Sequence, residues 1–167
     1  MIVFGPESAA GAAPSTACWL RARSPGGPVP AQGVDLVFND IAESRPGLVA
    51  PDAALIARAL AAPLPALVTC FAGVSRSTAL AYALACRARP GAGQALAEEL
   101  RALAPWATPN PLVVALADAA LGAGGAMIAA IASIGRGAEI ARGGLVLWRP
   151  GKGGDVLVEA LGPLPQV

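Results

Sequence analysis

Histidine is absent from all 167 residues. That excludes Ser-His-Asp and Cys-His catalysis and removes the commonest nitrogen ligand of zinc, so no metal site is expected. Lysine is almost absent as well, Lys152 being the only one, and the net charge is +1. Bulk electrostatics therefore offer nothing to nucleic acid or to an anionic membrane surface. Aromatic residues make up only 4% of a chain that is 55% hydrophobic, the difference being supplied largely by alanine. Three cysteines, Cys18, Cys70 and Cys86, are odd in number and lack metal-like spacing. They fit reduced thiols in a cytoplasmic protein better than a disulfide framework. Glu7 lies near the N-terminus with no basic region before the first apolar run, unlike a secretory signal. Between Arg101 and Arg136 the only charge is Asp118, but Pro105, Pro109, Pro111 and the glycines from Gly122 to Gly125 divide that stretch. The pieces are too short to span a membrane.

What is present has the length of one domain, residues 1–167, without an internal repeat or long linker. Ile2 to Phe4 predicts a first strand at a sheet edge, and Ala17 to Arg23 a second, closed by the loop Ser24 to Pro28. Val34 to Phe38 alternates as a third strand, with Asn39-Asp40 at its end. A helix opens at Pro51-Asp52 with Asp52 near the N-cap and Leu55, Ile56 and Leu60 facing inward. Ala66 to Thr69 suits a buried central strand. Helices are expected from about Ser75 to Arg87, Ala92 to Leu103, Thr108 to about Leu121, with Thr108 as N-cap and Pro109 at N1, and Met127 to Ile140. Leu145 to Trp148 and Val156 to Val158 read as a C-terminal hairpin within 143–160. The pattern is α/β: a central, mostly parallel sheet of about four to five strands flanked by helices.

The most informative stretch is Val68-Thr69-Cys70-Phe71-Ala72-Gly73-Val74-Ser75-Arg76-Ser77. An apolar strand runs into a cysteine, a small-residue loop, an arginine and a helical pattern. Such a junction points several backbone N–H groups at one spot, where the helix dipole adds positive character, so a phosphate would sit well there. The same groups and Arg76 favour a thiolate at Cys70, which makes it a candidate nucleophile toward phosphorus.

Cys70 to Ser77 resembles the signature loop of cysteine-dependent protein tyrosine phosphatases, particularly small dual-specificity and bacterial members. Asp40 before a loop upstream, the helix leaving Ser77, and Thr108-Pro109-Asn110 ahead of a later helix are similar to that family too, over about residues 17–137. The resemblance implies a tyrosine-phosphatase-like fold and a phosphomonoester hydrolase needing no cofactor. Cys70 would attack phosphorus to give a cysteinyl phosphate. Arg76 would grip two phosphate oxygens through its planar fork, and the N–H groups of Phe71, Ala72, Gly73, Val74, Ser75 and Arg76 would hold the equatorial oxygens. Ser77 would hydrogen-bond the sulfur, and Asp40 would protonate the leaving oxygen before deprotonating water. Asp35, Glu43 and Asp52 are rival carboxylates, Asp35 reading as mid-strand and Asp52 as a cap. Asn110 could brace the cysteine loop, though helix-start bonding is the more ordinary role for it.

The family's usual histidine before the nucleophile is replaced by Thr69, which cannot carry charge. That substitution predicts slower turnover and keeps a second reading open, a non-catalytic phosphate-binding pseudophosphatase. A rhodanese-like sulfurtransferase or arsenate reductase would also place a cysteine over an anion loop, but the central cysteine with an upstream acid fits these less well. Phe71, Ala72 and Val74 include no basic residue, unlike phosphoinositide-directed relatives. The expected partner is a phosphorylated protein or a small aryl phosphate, with neither nucleic acid nor a membrane.

Overall fold

The computed structural model describes residues 1–29 and 31–162. Its strands are β1 (Ile2–Pro6), β2 (Cys18–Arg23), β3 (Val34–Val37), β4 (Ala66–Cys70), β5 (Leu145–Trp148) and β6 (Gly154–Val158). Its helices are α1 (Ala53–Leu60), α2 (Arg76–Ala88), α3 (Gly93–Leu103), α4 (Pro111–Ala120) and α5 (Ala126–Ile134), with a 3-10 helix at Glu7–Ala12. The strands form one six-stranded sheet in the order β3-β2-β4-β1-β5-β6. The fold is thus α/β with a mixed sheet, one strand larger than the four to five expected. β3, β2, β4 and β1 run parallel, whereas β5 and β6 join antiparallel on the far side of β1.

The pleat sorts side chains onto two faces. Phe4, Leu20, Val68, Cys70 and Trp148 pack with the α-helices in the larger core. Val3, Leu67, Leu145 and Leu147 form a smaller cluster on the other face, partly covered by Ala9, Ala10, Ala13 and Trp19. Being covered on both faces is why β1 and β4 are continuous apolar runs rather than alternating ones.

β1 is not the edge strand expected. It pairs with β4 from Ile2↔Ala66 to Pro6↔Cys70 and with β5 on its other side. Three apolar residues before a Gly-Pro do not distinguish edge from centre; the partner β5 is more than a hundred residues away and decides it. The C-terminal hairpin is therefore part of the same sheet and not an appendage to it.

α2 is buried at every position from Arg76 to Cys86. Its alternating alanines let neighbours approach on all sides, and α1, α3, α4, β1 and β4 surround it. Two other helix boundaries differ from expectation. Asn110, not Thr108, caps α4 by accepting from Val113 N–H, and Pro111, not Pro109, stands at N1. Both Pro-containing pairs satisfy the start rule, but a cap at Thr108 would need the N–H of Asn110, which donates to the Ser75 carbonyl, or of Pro111, which has none, and the Thr108 hydroxyl accepts from Gly137 N–H instead. α5 ends at Ile134, short of Ile140, because Gly135 takes a positive φ. In α1, Asp52 caps as expected, and the fully buried residues are Ile56 and Ala59 while Leu55 and Leu60 are half-buried. Among the described residues no helix is long and apolar enough to cross a membrane.

Candidate active site

β4 delivers Cys70 to the carboxyl end of the parallel strands, where the chain turns through Phe71 to Ser75 into α2. Gly73 makes this turn feasible. Its φ is +70°, and a Cβ there would run into the backbone of Pro6 and Gly5 on the adjoining strand. Only glycine fits a left-handed position against neighbouring backbone.

The carbonyls from Ala72 to Ser75 meet segments outside the loop. Ala72 O accepts from Gly143 N–H at 2.8 Å, Gly73 O abuts Gly143, Val74 O accepts from Thr108 N–H at 3.0 Å, and Ser75 O accepts from Asn110 N–H at 3.3 Å. In a trans peptide the C=O and the following N–H point in opposite directions. The amides of Gly73, Val74, Ser75 and Arg76 therefore face the other way, away from these braces. Among the described residues the amides of Ala72 to Ser75 donate to no protein acceptor. Ser75 is the N-cap of α2, yet its side chain makes no capping bond, so the positive end of this helix is left open beside the loop.

Arg76 is 5% exposed and is held by one end only. Its Nη1 donates to Phe38 O at 2.9 Å and Ser24 Oγ at 3.2 Å, and the guanidinium lies 5.8 Å from the Phe38 ring centroid. Its Nε is buried without a hydrogen-bond partner, 3.9 Å from Asp40 Oδ2. A buried guanidinium donor with no acceptor is costly unless an anion completes it.

Cys70 is buried, and its thiol donates to Ser77 Oγ at 3.2 Å. Once the thiol is ionised, the hydroxyl is free to turn and donate to sulfur. Asp40 reaches the loop from the end of β3: its Oδ1 accepts from Ser75 Oγ at 2.7 Å and Asn110 Nδ2 at 2.8 Å. The rival carboxylates stand elsewhere. Asp35 pairs with Arg23 on neighbouring strands, Glu43 pairs with Arg45 in an exposed loop, and Asp52 caps α1.

Thr69 lies one residue out of phase with Cys70, toward the smaller cluster, where its Oγ1 accepts from Trp19 Nε1 at 2.9 Å. Phe71 is 79% exposed at the loop's tip. Cys86 sits at the far end of α2, where burial first and foremost pushes its thiol up to about 11. It is an inert core residue, remote from Cys70 along the helix. No group of histidine, cysteine or carboxylate side chains among the described residues could hold a metal ion.

The structure thus brings together every residue proposed from sequence: Cys70, the loop from Phe71 to Ser75, Arg76, Ser77 and Asp40. Sequence reasoning missed Ser24 and the Phe38 carbonyl as anchors of Arg76, and Gly143 as a brace of the loop. Nothing local to those positions signals the role; each is created by distant segments meeting. Comparison with family models, with curated proteins and with solved structures finds no match to this chain.

Proposed function

We propose that this protein is a phosphomonoester hydrolase of the protein tyrosine phosphatase or dual-specificity type, with the tyrosine-phosphatase-like fold that this implies. The observation that carries the reading is the pairing of two unsatisfied sets of donors around one thiol. The inward amides of the cysteine loop and the buried, unpartnered Nε of Arg76 ask for a multiply charged oxyanion, and Cys70 lies at the base of that loop.

The chemistry follows from the positions. The Cys70 thiolate attacks phosphorus; the S–P bond forms as the P–O bond to the leaving group breaks, and the Asp40 proton passes to the departing oxygen. Loop amides and the Arg76 fork hold the remaining phosphoryl oxygens through the transition state. Water then attacks phosphorus and yields a proton to the Asp40 carboxylate. The S–P electron pair returns to sulfur, where Ser77 donates a hydrogen bond, and inorganic phosphate leaves. The loop's variable side chains, Phe71, Ala72 and Val74, are uncharged, which favours a phosphoprotein or aryl phosphate over a polyanionic headgroup.

The test is hydrolysis of an aryl phosphate by the wild type, Cys70→Ser and Asp40→Asn. Turnover abolished by the first substitution and reduced about 100-fold or more by the second supports the reading. No wild-type turnover at any pH would leave a phosphate-binding module in its place.

A further inference from the structure

Asn110 is 2% exposed and every hydrogen of its carboxamide is spent. Nδ2 donates to Asp40 Oδ1 at 2.8 Å and to Ile41 O at 3.0 Å, while Oδ1 accepts from Val113 N–H at 3.1 Å. The reverse amide orientation would set N–H against N–H at Val113 and oxygen against two oxygens at Asp40 and Ile41, so the geometry admits one assignment. Its backbone N–H donates to Ser75 O, and Ser75 Oγ donates back to Asp40 Oδ1. Asn110 thereby closes a ring through the start of α4, the cysteine loop and the segment after β3.

We infer that Asn110 is the positioning residue for the acid of the proposed reaction: it pins Asp40 Oδ1 and the Ile41 carbonyl so that Oδ2 is the oxygen turned toward Arg76 and the phosphoryl site. The inference rests on the phosphatase reading. Capping α4 needs only the Asn110 oxygen, and the two donations from Nδ2 do nothing for the helix. They act only on the segment that carries the acid. An Asp40 carboxyl held by one oxygen from two directions has little freedom to rotate, which leaves its second oxygen aimed for proton transfer.

The cap and the pin can be separated. Asn110→Asp and Asn110→Ser both retain an N-cap acceptor of similar quality. Each removes the donation to Asp40, and the serine variant does so without adding charge. Unchanged melting temperature and circular dichroism in at least one of them verify the fold. Both variants are assayed on phenyl phosphate, whose leaving oxygen needs a proton, and on dinitrophenyl phosphate, whose leaving group departs without one.

The expected result is a loss in kcat/KM, which reads only the transfer to Cys70 and not the second step both esters share, on the order of 10-fold or more on phenyl phosphate and much smaller on the dinitro ester. In an Asp40→Asn background the Asn110 substitutions should then cost nothing further, since there is no acid left to aim. Equal losses on both esters, or losses that add fully to that of Asp40→Asn, would overturn the positioning role while leaving the phosphatase reading intact. Wild-type protein that turns over neither ester would overturn both.

Discussion

The Cys70 thiol and the Ser77 hydroxyl lie 3.2 Å apart, one at the end of β4 and the other in the first turn of α2, both sealed from solvent. The strand-loop-helix junction brings them together across the turn at Gly73. In the proposed reaction Ser77 would serve sulfur only when sulfur bears charge, that is, before attack and again as the S–P bond breaks.

Ser77→Ala should therefore slow the second step more than the first. Rapid mixing with an aryl phosphate should show an initial burst of phenol followed by a slower steady state, with the phosphoenzyme accumulating. A uniform fall in both phases would assign Ser77 to packing alone.

Gly73→Ala should be severe for a reason independent of chemistry. A left-handed backbone costs an ordinary residue about 1–2 kcal/mol, and the added methyl also meets the backbone of Pro6 and Gly5. Destabilisation by at least about 2 kcal/mol in urea unfolding is expected, together with loss of phosphate binding. Gly26, by contrast, has a positive φ but open space around it, and its alanine variant should show only the backbone cost.

The hairpin closing the sheet is tied to α3 through Glu99. Its carboxylate accepts from the Trp148 indole and from Gly151 and Gly153 N–H. Burial works to raise its proton affinity, but these hydrogen bonds and Arg89 outweigh burial and hold it below its usual value. A carboxyl depressed in the folded state adds stability that is complete above its unfolded value of about 4.3 and is lost as pH falls through the folded one. Glu99→Gln should lower the unfolding free energy at neutral pH by roughly 1 kcal/mol after solvent screening, and the melting temperature with it. The gap between wild type and variant should narrow as the pH is taken down below that unfolded value. A gap constant with pH would show that Glu99 acts without its charge.

Much of the candidate site was legible because it is local. Cys70 to Ser77 is one continuous segment whose strand-to-helix character and glycine can be read directly, and Asp40 was separable from Asp35 and Asp52 by their places in a strand and at a cap. What could not be read comes from long-range pairing. β1 reads the same whether it is an edge or a centre, and only β5, late in the chain, makes it central. Thr108-Pro109 and Asn110-Pro111 both read as helix starts in sequence; the cysteine loop helps to choose between them, because the Ser75 carbonyl takes the Asn110 N–H that a cap at Thr108 would need. The anchoring of Arg76 by Ser24 and Phe38 spans three segments and leaves no trace in any one of them.

The claim at the centre is that Cys70 is the atom-to-atom acceptor of a phosphoryl group. Quenching the protein in acid during turnover of a radiolabelled aryl phosphate and mapping the label by peptide tests it most directly. Label is expected on the peptide containing Cys70 in the wild type, more of it in Ser77→Ala, and none in Cys70→Ser. Steady turnover with no label on Cys70, or label on any other residue, would contradict it.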